Sequence, residues 1–529
     1  MKKTYIAVLL AIAAASPLAA QNLNPEVQVT NDYVARMADV HKNGTPISVP
    51  DSLTRFSTDI DYSVFTTSYQ GAYEFSPYAI VVEPEARAYE GSTLYLRAGA
   101  GYSFHPVVRA VYTPFPRGLV RNSEYLSFDG YGGRYRSLDG RAAYDGHDYG
   151  LGAGALVRWN KEKFDLSADA GYNGIYTADD ALSSTYHKAK LDLNLHSNTD
   201  DIPVTYNMDA AFHYGSDAVS TLGNIGEFGY MIHGFVCPEI GRSFKLRVDV
   251  HSQGSWFAGG VFSPAILNSA APKLVYEVGD FTFAAGAKIA LSEEFSIHPD
   301  LSAQWLANSG VIGVRLAVGG GQIQGDYATY KAADHWFNTS YLTKFVPTVE
   351  KINATLDIDG LLFKHLQYKL SGGWRKLSNA ALQGLDVVAA AYVPSIKYVD
   401  YDQAWGGLLL NWKSERLEVN MDATYAYNMI AKGADYLTPA AFTMETSAVY
   451  NWNRRVFAGM RAKVLAARES TLVTIPGFAD IGLYGEYVFG SRLSAWAQFG
   501  NLLNQKISYS PTHIAGGLNF TVGVCLKLQ

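Results

Sequence analysis

The stretch GGLNFTVGVCLKLQ, Gly516 to Gln529, alternates without interruption. Phe520, Val522, Val524, Leu526 and Leu528 fall on one side of an extended strand, and Thr521, Gly523, Cys525, Lys527 and Gln529 fall on the other. Successive side chains of a strand point to opposite faces. Chain ends usually fray, so strict patterning as far as Leu528 implies a strand held on both edges. In a closed β-barrel the last strand must pair with the first, and 516–528 is expected to be that closing strand. Phe520 to Leu528 would face lipid, with Lys527 turned to the lumen or to periplasmic water.

The same two-residue period recurs upstream. Phe164, Leu166, Ala168, Ala170 and Tyr172 alternate with Asp165, Ser167, Asp169, Gly171 and Asn173. Phe244, Leu246, Val248 and Val250 alternate with Lys245, Arg247, Asp249 and His251. Leu417, Val419, Met421 and Ala423 do so with Arg416, Glu418, Asn420 and Asp422. KAKLDLNLH, which carries Lys188, Lys190 and Asp192, repeats the pattern, as does INATLDID near 355.

A soluble β-sandwich also hides one face of each strand, but three features favour a transmembrane barrel. The strands reach the ~9–11 residues needed to cross a bilayer at a tilt. Their polar face carries full charges of both signs, which suits a wet lumen. No apolar run after the N-terminus could make a spanning helix, and a closed barrel is the other way to satisfy every backbone group in lipid. The expected fold is all-β: a transmembrane antiparallel β-barrel with an even strand number, roughly 14–20.

RWNKEKF (158–164), NWKSERL (411–417), NWNRRVF (451–457) and VFGSRLSAW (488–496) each set an aromatic beside a short charged turn. That composition matches an interfacial girdle at the periplasmic rim. The segments 112–140, 253–271, 320–349 and 374–403 are longer and less patterned, and are expected to be extracellular loops.

Lys2 and Lys3, the apolar run from Tyr5 to Ala15 and the small residues up to Ala20 have the layout of a secretory signal peptide. The expected plan is a signal peptide at 1–20, a periplasmic segment or lead-in to the barrel at 21–90, and an outer-membrane barrel at 91–529. A net charge of −6 gives no electrostatic reason for a nucleic-acid partner. Cys237 and Cys525 are too few for a disulfide framework, and sequence leaves their pairing open.

Catalytic motifs fail on inspection. GLGAGALVRW (150–159) continues as a strand through Leu151, Ala153, Ala155, Val157 and Trp159, so it opens no helix that could hold a pyrophosphate. VGGGQIQG (318–325) reads as a strand end running into a loop. The histidines show no paired metal spacing on a helix, and no Gly-x-Ser-x-Gly elbow occurs. The chain reads as a non-enzyme with no cofactor and no metal site. Asn338-Thr339-Ser340 fits a glycosylation sequon, a tripeptide that also arises by chance.

WAQFGNLLNQKISYSP followed by GGLNFTVGV resembles the last two strands of TonB-dependent receptors. The repeated turns agree more loosely upstream. This resemblance implies a receptor-like, multi-pass barrel of the cell outer membrane. Such receptors carry a globular plug ahead of the barrel. Here strand patterning begins near 94 and 21–90 is short for a plug, so the chain most resembles the plug-less receptor-like barrels of Bacteroidota. NPEVQVTNDY (24–33) is similar to the short peptide by which receptors engage TonB, and is equally a β-prone segment.

Two functions follow. In the first, a receptor-like or porin-like barrel passes or binds a small solute through a charged lumen. Asp165 and Asp169, Lys188, Lys190 and Asp192, Lys245, Arg247 and Asp249, and Arg416, Glu418 and Asp422 would line that lumen. The same residues also fit plain solvation or salt bridging across the wall. In the second, an accessory or structural barrel docks partners of an outer-membrane assembly or secretion complex. The partners expected are outer-membrane lipid and either TonB, another periplasmic protein or a surface lipoprotein.

Overall fold

The computed structural model describes residues 93–528, less the stretches 103, 116–117, 137–142, 180–182, 199–202, 220–222, 242, 259–261, 308–311, 338–343, 363–364, 389–390, 434 and 511–512. The expected signal peptide, the segment 21–90 with its TonB-peptide-like stretch, and the sequon at 338–340 lie outside the described residues.

Twenty-two antiparallel strands close into one barrel. The chain begins with β1 (Leu94–Tyr102), β2 (Val107–Phe115), β3 (Val120–Arg136), β4 (Tyr144–Asn160), β5 (Phe164–Ala178) and β6 (Ser183–Ser197). There follow β7 (Val204–Val219), β8 (Gly223–Pro238), β9 (Phe244–Phe257), β10 (Ala265–Val278), β11 (Phe281–Leu291) and β12 (Phe295–Leu306). Next come β13 (Ile312–Ile323), helix α1 (Tyr327–Ala333), β14 (Thr348–Leu362), β15 (Leu366–Val388), β16 (Ala391–Lys413) and β17 (Leu417–Met429). The barrel ends with β18 (Phe442–Trp452), β19 (Val456–Leu465), β20 (Phe478–Val488), β21 (Leu493–Gly500) and β22 (Asn519–Leu528). Two small hairpins sit in connections: Arg468–Glu469 with Thr474–Ile475, and Lys506–Ser510 with His513–Gly516.

β22 is the closing strand. It pairs with β21 on one edge and with β1 on the other, in register from Leu94↔Leu528 to Tyr102↔Phe520. Phe520, Val522 and Val524 are exposed on the outside, and Leu526 and Leu528 are half-buried. On the inside, the Trp496 indole lies flat across the seam. A Cβ at Gly99 or Gly523 would come within 2.5 or 2.6 Å of that ring, so these two positions need glycine for the close approach.

The four aromatic-plus-charge turns all fall at one end, together with Leu94 and Leu528. There the outer surface carries exposed Trp159, Phe244, Tyr276, Phe281, Trp305 and Trp452. Towards the other end it carries exposed Tyr214, Phe228, Trp256, Tyr425 and Tyr427. Phe244 and Trp256 lie on one strand 12 positions apart (256 minus 244). At a rise of about 3.4 Å and a tilt near 40° this is about 30 Å, the thickness of a hydrocarbon core. Two aromatic girdles therefore bound a lipid-facing band. Among the described residues no helix is long and apolar enough to cross a membrane.

Val250 faces outward midway between those girdles and is exposed. Val250→Arg should cost about 2–4 kcal/mol, as charges at a barrel's lipid midplane do. Equilibrium unfolding from lipid vesicles measures the cost, and a loss below about 1 kcal/mol would contradict the assigned band. Sequence alone leaves the neighbouring Arg247 open between solvation and salt bridging. It pairs with Asp249 at 2.9 Å and stacks over Phe235 at 3.8 Å, so reversing its sign would break two contacts.

The strand number is even, as expected, but 22 exceeds the expected range of roughly 14–20. The segments 112–140, 253–271 and 374–403 are largely strand, not loop. β15 and β16 each run 23 residues and pair as far as Val388↔Ala391. Above the lipid band neither face need be apolar, so the ladder continues while the alternation fades. Cys237 and Cys525 are buried and unpaired.

Candidate functional site

The connection from β13 to β14 departs from a plain loop. After Ile323 the chain turns inward and forms α1, which is only seven residues long. Asp326 caps the helix by accepting from Thr329 N at 2.8 Å, the usual way a first-turn N–H is satisfied. A helix this short is not stable alone, and its packing explains why it forms. Tyr327, Ala328, Phe337 and Phe345 are buried against Ile175 of β5, Tyr186 of β6, Ile225 of β8 and Phe262. This connection thus folds into the mouth of the barrel and seats on the inner wall.

A buried polar lock holds it there. Asp217 of β7 is fully buried; Ser184 Oγ donates to its Oδ1 at 2.6 Å and Tyr327 Oη to its Oδ2 at 2.5 Å. Lys331 Nζ, from α1, lies 3.1 Å from Asp217 Oδ2 and donates to Ser184 Oγ at 2.7 Å, and Lys331 is only 1% exposed. Burial first, and then the Asp217 carboxylate, push the Tyr327 phenol well above its ordinary range, so it stays protonated and donates. Beside this lock, the Glu227 carboxylate accepts the backbone N–H groups of Tyr327 at 3.0 Å and Ala328 at 2.9 Å.

Beyond the helix the connection reaches across the mouth. His335 Nδ1 meets Asp148 Oδ1 of β4 at 2.6 Å. Trp336 stacks on His513 at 3.4 Å, and His513 is held by Asp179 at 2.9 Å. Asp334 accepts from Gln383 of β15 at 2.9 Å, and Arg468 donates to Gln383 at 2.6 Å and to the Ser508 carbonyl at 3.1 Å. Val346 N donates to Tyr398 of β16 at 3.1 Å. The three connections after β13, β19 and β21 therefore interlock over the lumen.

His335 makes this closure pH-sensitive. Burial alone would lower its imidazole, but the hydrogen bond and charge of Asp148 outweigh that and raise it above 6.5. A group with a raised folded pKa contributes fully below its unfolded value and loses that contribution as pH rises through the folded one. The His335 side chain is still 35% exposed, so the effect is modest. Open frequency in planar bilayers should rise as pH is taken upward from 6.5 in the wild type, and rise less steeply in His335→Gln. An unchanged slope in the variant would contradict this.

Below the closure, the face opposite the apolar exterior is a quilt of paired charges. Asp169 and Asp192 flank Lys190 at 2.6 and 2.9 Å, and Tyr125 Oη donates to Asp169 at 2.9 Å. Asp249 joins Arg247 at 2.9 Å to Lys273 at 2.7 Å, and Lys273 reaches Asp300 at 3.1 Å. Lys245 lies 3.2 Å from Glu277, and Asp165 lies 3.5 Å from His196. Arg416 sits outside the strand, in the turn before β17. Glu418 and Asp422 are exposed, and among the described residues the three form no ion pair with one another. Sequence reasoning singled out these wall residues but missed Asp217, Glu227, Asp148 and the whole inward connection.

Comparisons with solved structures come to a matching conclusion about fold. The FrpB iron transporter from Neisseria meningitidis superposes with a TM-score of 0.60 at 9% identity, over 82% of this chain and 81% of that one. The copper transporter OprC gives 0.56 at 13% identity, over 83% and 80%. The siderophore receptor PirA from Acinetobacter baumannii gives 0.58 at 10% identity, over 82% and 80%. No family model and no curated protein matches the sequence. The likeness is one of fold: this chain shares a closed antiparallel barrel with these transporters and receptors.

Proposed function

We propose that the chain is an outer-membrane receptor-like barrel that passes or binds a small polar solute through its lumen, with residues 324–337 and 344–347 of the inward connection as the closure. The observation that carries this reading is the combination of a charged inner wall, partly open to water, with connections that are hydrogen-bonded to one another and to the wall at the mouth. Asp165, Asp169, Lys190, Asp192, Lys245, Arg247, Asp249 and Asp422 line the path, with Arg416 and Glu418 at its turn-end rim. Each charge has an opposite charge on its own or a neighbouring strand in most of these sets, so the wall is wet but close to neutral, which suits a small hydrogen-bonding solute. Closure is assigned to the barrel's own connections because the contacts of His335 with Asp148, Trp336 with His513 and Gln383 with Asp334 and Arg468 tie them to one another and to the wall. The stretch 24–33 engages TonB or another periplasmic protein from the turn end, where β1 begins.

Reconstitution of the purified barrel in planar bilayers tests the path. Rare openings in the wild type, and frequent ones once the inward connection is shortened, are expected. A folded, inserted barrel that conducts in neither form would reject transport and favour an accessory role. Co-purification from native outer membranes with and without residues 24–33 tests the TonB contact separately.

A further inference from the structure

Glu227 of β8 and Asp326, the cap of α1, bring two carboxylates into one buried place, and His213 of β7 faces both. His213 Nε2 lies 3.4 Å from Glu227 Oε2 and 3.9 Å from Asp326 Oδ2. One donor atom from each of the three residues lies within 4.8 Å of the others. Donors held ~2.0–2.2 Å from a tetrahedral ion stand roughly 3.3–3.6 Å apart, so shifts of about an ångström complete the set. The backbone is shaped for this imidazole. A Cβ at Gly229 would sit 2.1 Å from His213 Cε1 and 2.5 Å from Nε2, so only glycine leaves room for the ring across β8.

A second observation is independent of those three residues. Tyr186 is 1% exposed, and its hydroxyl has no hydrogen-bond partner. That hydroxyl lies against Gly215, where a Cβ would come within 2.7 Å of it, and Gly215 is paired with Glu227 across the sheet. The charges of Glu227, Asp326 and Asp217 bear on it. A buried hydroxyl without a partner is a group for which an explanation is owed, an ion or a water among them.

The charges leave room for a cation. Asp217 is matched by Lys331 at 3.1 Å. Lys188 adds one positive charge that bears on Asp326 and Glu227, yet it forms no ion pair with either among the described residues. Both Glu227 oxygens and Asp326 Oδ1 accept N–H groups, but each carboxylate oxygen keeps a further lone pair.

We propose that His213, Glu227 and Asp326 bind one divalent transition-metal ion, with the Tyr186 hydroxyl as a further oxygen donor, and that this ion staples the inward connection to the barrel wall. An imidazole with carboxylate and phenol oxygens suits Zn(II), Mn(II) or Fe(II), and lacks the thiolate or thioether that selects Cu(I). Three donors, from His213, Glu227 and Tyr186, come from the wall and one, from Asp326, comes from the connection, so an ion that binds only the docked arrangement favours that arrangement. It is a fixed structural ion beneath α1 and not the solute in transit.

The full-length barrel, folded in detergent and stripped with a chelator, should take up one Zn(II) per chain by elemental analysis and give visible absorption bands with Co(II). His213→Gln and Asp326→Asn should weaken uptake by at least about tenfold, and Gly229→Ala should do the same by displacing the ring although it removes no donor. His365→Gln, in a turn at the far end, should change nothing. Heat-modifiable gel mobility confirms that each variant is folded. In bilayers, chelator should raise the open frequency of the wild type severalfold and leave His213→Gln unaffected. Uptake well below one equivalent by the wild type, or equal uptake by the wild type and the folded His213→Gln and Asp326→Asn, would overturn the proposal.

Discussion

Lys331→Met should free the inward connection from the wall and turn rare openings into steady conductance. Lys331 and Asp217 are almost fully buried and 3.1 Å apart. Removing one member of a buried pair strands the other charge, at a cost of about 3–5 kcal/mol. That is large beside the stability of a single seven-residue helix with one aromatic cluster. The barrel ladder takes no part in the lock through Lys331, so the variant should still run as a folded band. Pairing Lys331→Met with Asp217→Leu should recover part of the closure, because the stranded charge is then gone. Wild-type conductance in a folded Lys331→Met barrel would show that the Lys331–Asp217 pair is not what holds the connection.

Removing everything after Gly523 should abolish the folded barrel. The cut takes Val524 to Leu528, which pair with Leu94–Ala98 on β1 and, as far as Leu526, with Leu493–Ala495 on β21. Two strand edges would then face lipid, where each unsatisfied backbone group costs several kcal/mol. The truncated chain should lose its heat-modifiable band and its outer-membrane fraction. Deleting 22–60, by contrast, removes none of the 22 strands. Normal insertion of the C-terminal truncation would mean that closure does not depend on this seam.

Much of the barrel was legible because lipid imposes a strict rule on every strand that crosses it. Lys245, Arg247 and Asp249 against Leu246, Val248 and Val250 marked a strand with one apolar and one charged face. Strand length and lumen-like charge favoured a barrel over a sandwich, and the aromatic turns marked one rim. The strand number was not legible. Stretches such as Gln383–Val388 pair as regularly as the rest, but beyond the lipid band nothing requires one face to be apolar, so no two-residue period marks them. The closure was hidden for a different reason. Asp217 and Glu227 lie about a hundred residues before α1 (Tyr327 minus 110 and minus 100), and nothing local marks either as buried. α1 itself, YATYKAA, is too short to show a 3.6-residue stripe. Its one visible signal was the Asp326-x-x-Thr329 cap, set beside a lysine in an otherwise aromatic and small-residue run. The triad with His213 draws on three separate elements, so a search for paired spacing on a helix could not find it.

The order of the strands has a consequence for how the sheet comes together. Of the 22 pairings around the barrel, 21 join consecutive strands (22 minus the seam), and one joins β1 to β22. Hairpins of consecutive strands close over short spans, whereas Leu94 meets Leu528 across 434 positions (528 minus 94). Joining ends that far apart costs roughly 5 kcal/mol of chain entropy if the intervening chain is loose, and far less once it is a curled sheet. The seam should therefore form last, after the hairpins have ordered the span. Until it does, the growing sheet presents two open edges, each able to pair with another chain. The speed of that last closing step, more than of any hairpin, sets how long the vulnerable form persists.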